Sequence, residues 1–227
     1  MNQKDLLLFE HLRVELGDPP RPGPMIMDVK TTQFVRMELV LLKALVGEDR
    51  PGLFISVDRP HQYMLHLLCM HQIDHRKLTF IDAMARFATD SKQITAKVGF
   101  FRGPQNIDTL PEALKEWSSG CKDHSFDLAK CRFAVIDNLA TLLNYNSQQV
   151  VRSFLMEFLT SLGENVTVPF VLDRERNPIL FQMITSLGGT ELRLAPGVGT
   201  RPPERLHMKI IEPQTMMEGH IDGKWQA

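Results

Sequence analysis

The sequence predicts a three-layer α/β domain built on a mostly parallel sheet, and three observations predict it. Short runs of continuous apolar residues alternate with stretches of helical period, the signature of strands covered on both faces. Four of these runs lead to an acid, Asp28, Asp58, Asp137 and Asp173, at the strand ends where open α/β sheets form their ligand crevice. The length, 227 residues, is enough to bury a substantial core.

Residues 4–16 (KDLLLFEHLRVEL) carry apolar side chains at helical spacing and stop at Gly17. The following DPPRPGP is expected as a linker, because its prolines exclude helix and internal strand, so 1–21 reads as an N-terminal helix and Pro-rich linker. PMIMDV is the first strand. TTQFVRMELVLLKALVG is a helix, with Thr31 or Thr32 placed to cap it. GLFISVD (52–58) is the second strand, and Pro60 opens the helix PHQYMLHLLCMHQI at a favoured first-turn position.

KLTFIDA (77–83) is the third strand. Residues 84–127 carry a polar loop, a short strand at VGFF and a helix near PEALKEWSS. CRFAVIDN (131–138) is the fourth strand, followed by the loop LATLLNYN and the helix SQQVVRSFLMEFLTSLG. VTVPFVLD (166–173) is the fifth, and NPILFQMITSLGG is a helix closed by glycines. TELRLAP and RLHMKIIEP are expected to form a C-terminal β-hairpin. The tail 213–227, with Met216, Met217 and Trp225 outside any periodicity, reads as either disordered or a docking segment.

Composition narrows the function classes. With 43% apolar and 23% charged residues the chain reads as a soluble globular protein. Its 26 Lys and Arg against 27 Asp and Glu give no general attraction to nucleic acid or to an anionic membrane. Cys69, Cys121 and Cys131 form neither a zinc spacing nor a disulfide framework. The N-terminus is too charged for a signal peptide, and no apolar run approaches the roughly 18 residues of a membrane span. A cytoplasmic setting without membrane association is expected.

Two weaker constellations read as structural. His61, His66, His71 and His75 surround one helix but share no clean face, so they are expected to be exposed or partly packed rather than metal ligands. Cys121 and His124 stand three residues apart in a polar loop, a spacing that says little about a catalytic pair. The acids at the strand ends also have a plain reading, as caps for the next helix or turn.

GLFISVDRPHQYMLHLL, KLTFIDA, FAVIDNLATLLNYNSQQVVRSFLMEFLTSL and the closing ELRL and RLHMKIIE together resemble the KaiC-like branch of the RecA-type ATPases, in particular its archaeal relatives of degenerate sequence. The resemblance covers residues 22–212. It implies a RecA-like P-loop-NTPase fold, ring or filament assembly and ATP held between subunits. It also implies that Asp137, closing FAVID, stands at the position that helps to place Mg²⁺.

The phosphate machinery departs from that family. Aligning Lys30 and Thr31 with the end of a G-x-x-x-x-G-K-[ST] loop puts Pro24 and Val29 on the two glycines. Val resists positive φ and Pro donates no N–H. The strand PMIMDV runs up to Lys30 with no room for a loop. Where the family tends to carry a Glu pair after the second strand, this chain reads Asp58-Arg59, and an arginine cannot act as a general base.

The expectation is therefore a non-hydrolysing KaiC-like module without a cofactor, regulatory or interacting with an unidentified protein partner, or with copies of itself. The rival is an ATPase binding Mg-ATP through Lys30, Thr31, Asp58 and Asp137. A DNA-associated RecA-like protein is disfavoured by the charge balance.

Overall fold

The structure is a computed structural model, and it describes residues 3–47, 50–84, 97–119 and 126–194. Cys121, His124, the second limb of the expected hairpin and the tail lie outside the described residues. In chain order the elements are α1 Gln3–Leu16, β1 Gly23–Asp28, α2 Phe34–Leu45, β2 Gly52–Ser56, α3 His61–Met70, β3 Leu78–Asp82 and β4 Lys97–Phe100. They continue with α4 Leu110–Ser118, β5 Phe133–Asp137, α5 Gln148–Leu162, β6 Thr167–Leu172, α6 Pro178–Ser186 and β7 Thr190–Glu191.

The seven strands form one sheet in the order β4-β3-β2-β5-β6-β1-β7, and every pairing is parallel. The fold is thus the three-layer, RecA-like α/β type. One face packs Leu53, Ile55, Ile136, Val168 and Phe170 against α4, α5 and α6. The other packs Met25, Met27, Phe54, Phe80 and Val135 against α1, α2 and α3. β2, β5 and β6 are buried along their whole length, which is why their sequences are apolar without alternation.

Three expectations change. The N-terminal helix is part of the core, because Leu8, Leu12 and Leu16 are buried in the cluster that holds α2. The expected loop after β5 is a 3₁₀ helix, Leu139–Asn144, with Leu139 and Leu142 turned inward. TELRLAP does not open an antiparallel hairpin at its start: Thr190 and Glu191 pair parallel with Met25 and Ile26.

In-register rows cross β3, β2 and β5 on the α1–α3 face. Leu78, Gly52 and Phe133 form one, Phe80, Phe54 and Val135 the next, and Asp82, Ser56 and Asp137 the last, at the carboxyl edge. Gly52 exists for its neighbour, since a Cβ there would lie 2.1 Å from Phe133 Cζ. Gly52→Ala is expected to cost about 1–3 kcal/mol by overpacking. Adding Phe133→Leu should recover part of that loss in denaturant unfolding, whereas two independent penalties would show that the contact is not the cause.

Candidate functional site

Because every strand is parallel, all carboxyl ends open on one edge. After β1 and β2 the chain turns to helices on one face, and after β5 and β6 to helices on the other. Among the described loops, neighbours therefore diverge between β1 and β6 and between β2 and β5, natural crevices of such a sheet.

At both places the strand-end acids close the gap reciprocally. Between β1 and β6, Arg174 N–H donates to Asp28 Oδ1 at 3.1 Å, while Thr31 N–H and its hydroxyl both donate to Asp173 Oδ2 at 2.9 Å. Between β2 and β5, Arg59 N–H donates to Asp137 Oδ2 at 3.2 Å. In return Asn138 Nδ2 and the Thr141 hydroxyl donate to Asp58 at 3.1 and 2.9 Å. Each acid thus serves the loop of the neighbouring strand, and none caps the helix that follows it in the chain. The sequence offers Thr31 or Thr32 as the cap of α2, but Gln33 holds that position without a side-chain cap and the Thr31 hydroxyl is committed to Asp173.

The start of α2 has the position of a phosphate site but not its shape. Only Val29 and Lys30 separate β1 from the 3₁₀ turn Thr31–Gln33, and Val29 N–H continues the ladder to Leu172 O at 2.7 Å. Lys30 Nζ lies 2.5 Å from Glu175 Oε2, both side chains largely in solvent. Partial burial opposes ionisation of Asp173, but the two hydrogen bonds from Thr31 and one from Arg176 hold its carboxyl below the usual range.

The β2–β5 crevice is the more unusual. Arg59 Nη2 donates to Glu38 Oε2 at 3.0 Å and to Asp137 Oδ1, with Asp58 Oδ2 3.7 Å from Nε. Its guanidinium also sits over the Tyr63 ring, 5.5 Å from the centroid. Glu38 and Asp137 are 0% and 2% exposed. Burial, reinforced by the neighbouring Asp137, pushes the Glu38 carboxyl up to about 8. Burial likewise raises Asp137, against the pull of Arg59. Asn138 holds the turn at φ 45°, a left-handed conformation that Asn tolerates better than most residues.

A fifth strand-end acid, Asp82, lies beyond Ser56. Asp82 accepts from His61 N–H at 2.8 Å and from Met84 N–H at 2.7 Å, and His61 Nδ1 is 2.5 Å from the same carboxylate. His61, expected exposed or partly packed, is 4% exposed, and its ring packs against Phe80 and Phe100. Ser56, between Asp82 and Asp137, is 0% exposed and its hydroxyl has no hydrogen-bond partner. Acyl-transfer chemistry needs a reachable nucleophile bonded to its base, so this Ser, His and Asp do not make one. Among the described residues no group of three His, Cys, Asp or Glu side chains is placed to hold a metal.

Sequence reasoning offers Lys30, Thr31, Asp58 and Asp137 as one set for a nucleotide; the structure has Asp58 and Asp137 at the β2–β5 crevice and Lys30 and Thr31 at the β1–β6 crevice. That reasoning misses Glu38, Asp82 and the role of His61. Glu38 had a readable signal: Phe34, Glu38, Leu41 and Leu45 follow helical spacing, so a lone acid sits on the buried stripe of α2. Asp82 closes KLTFIDA as the other acids close their strands. The chain matches no protein-family model and no curated protein.

Asp173→Ala leaves the Thr31 N–H without its acceptor and should cost about 1–3 kcal/mol, whereas Glu175→Ala, removing an exposed partner, should leave stability unchanged. Asp173's folded value is depressed, so its contribution is complete above the ordinary carboxylate range and is lost as pH falls through the folded value. Urea midpoints from pH 2 to 7 would read this: the variant should lose less stability on acidification than the parent. Equal losses would contradict the assignment.

Proposed function

We propose that this chain is a non-hydrolysing KaiC-like domain of RecA type that acts in the cytoplasm as a regulatory or protein-interaction module. One observation carries the reading: the groups that would meet a nucleotide's charges are answered by the protein's own charges. The Asp173 carboxylate takes the N–H and hydroxyl of Thr31, and Glu175 takes Lys30. On the opposite sign, the Arg59 guanidinium sits on Asp137, the position that the resemblance assigns to Mg²⁺ placement. Binding a triphosphate here would have to break a carboxylate cap and bring phosphate oxygens against Asp173, Asp28 and Glu175.

Among the described residues the remaining polar edge offers no free general base. Asp58 is occupied by Asn138 and Thr141, and Arg59 stays protonated, its guanidinium reinforced by Asp137 and Glu38. What such a domain presents is surface. α1 exposes Leu6, Leu7 and Val14, and α3 exposes Tyr63 and Met70, outward faces suited to a protein partner or to another copy of the chain. No helix of the described residues is long and apolar enough to cross a membrane.

A thermal-shift titration with Mg-ATP and Mg-ADP to millimolar concentration tests the reading. A ligand present at 100 times its Kd would add about 2.7 kcal/mol, a plain upward shift in Tm; no shift is expected. A Mg-dependent shift abolished by Lys30→Ala would overturn the proposal in favour of an ATP-binding domain that uses Lys30, Thr31, Asp58 and Asp137.

A further inference from the structure

Glu38 and Asp137 are sealed from solvent and share one guanidinium. Two buried carboxylates with one cation leave a net negative charge in a low-dielectric site, which costs several kcal/mol unless a proton or another cation compensates it. Among the described residues the surroundings supply no second cation. From the β2–α3 loop come Arg59 and Asp58, and from β5 Asp137, so Asp58 only adds negative charge. Along the edge, His61 is taken by Asp82, Lys30 by Glu175 and Thr31 by Asp173, while Arg36, on the far side of α2, is turned to Asp5 of α1.

A second observation places the missing charge. Glu38 Oε2 accepts from Arg59, but Oε1, fully buried, has no hydrogen-bond partner. The Asn138 backbone N–H favours the ionised Glu38, but burial and the neighbouring Asp137 outweigh it. An oxygen without a well-formed hydrogen bond beside a second carboxyl is the one placed to carry a proton, and the upward displacement of both carboxyls agrees with this.

We propose that Glu38 and Asp137 hold one shared proton beneath Arg59, and that this proton is a latch keeping the β2–β5 crevice closed. In any open state Glu38 reaches water and its affinity for the proton falls to the ordinary carboxylate level. Opening therefore releases a proton to solvent and becomes more favourable as pH rises. The sign follows from linkage: Glu38's folded value lies above its unfolded one, so the closed state is most stable at or below the ordinary carboxylate range. Its stability declines as pH rises from there to about 8. The wall that yields is the Asp58–Pro60 segment, half-buried or exposed, because Glu38 and Asp137 stand on a core helix and a core strand. The inference stands whether or not the crevice ever meets a nucleotide.

The ¹³C resonance of the Glu38 side-chain carboxyl, followed by NMR from pH 4 to 10 in the unmutated chain, is the direct test. A midpoint well above neutrality is expected; a midpoint in the ordinary carboxylate range would overturn the proposal. Amide exchange adds the mechanical part. After correction for intrinsic base catalysis, protection of the Arg59 N–H should fall by up to about tenfold per pH unit between pH 6 and 8. In Glu38→Gln, which cannot release a proton, Arg59 protection should become independent of pH. An unchanged slope in that variant would likewise defeat the latch.

Discussion

The edge of the molecule depends on one constraint: seven parallel strands deliver all their carboxyl ends, with unpaired backbone donors and turning loops, to the same side of the sheet. Where neighbouring loops leave for opposite faces, nothing in the sheet ladder holds them together. The chain closes both openings with its own carboxylates. Asp28 and Asp173 exchange bonds across β1 and β6, and Asp58 and Asp137 do so across β2 and β5. Elsewhere such openings admit ligands. Here reciprocal hydrogen bonds bridge each of them.

The two seams differ in cost. The first is wet, with Lys30, Glu175, Arg174 and Glu191 sharing charge near solvent, so its energy comes mainly from the bonds to Asp173 rather than from the outer pairs. The second is dry. Glu38 and Asp137 are taken out of water around one guanidinium, and burying ionic groups seldom increases stability beyond what apolar residues would give. A stability role alone does not account for them. A site that is mechanically set by one charge does.

Much of this was legible in the sequence and some was not, for physical reasons. Strands buried on both faces leave continuous apolar runs, so the α/β class, β2, β5 and β6 could be read directly, and the acids closing them marked the edge. Which loop each acid would serve could not be read, because Asp173 and Thr31 lie 142 residues apart and meet only through strand order. The resemblance offered Lys30 only to the rival ATP-binding reading, and in the structure its side chain pairs with Glu175 at the surface. Glu38 was hidden by context. In a helix of apolar stripe and charged back, an acid is ordinarily assigned to the back, and only its phase relative to Phe34 and Leu41 reveals that it faces inward. α1 was set apart because prolines follow it, yet Leu8, Leu12 and Leu16 complete the layer over α2.

The central claim is that Arg59 is the structural cation of the carboxyl edge, bound to Asp137 in place of anything from outside. A double-mutant cycle on Arg59→Met and Asp137→Asn, measured by denaturant unfolding at neutral pH, tests it most directly. The account predicts a stabilising coupling of about 2–3 kcal/mol, at the upper end for residues in direct contact. Additivity within about 0.5 kcal/mol would mean that the guanidinium does not hold this edge together, and the account would fail with it.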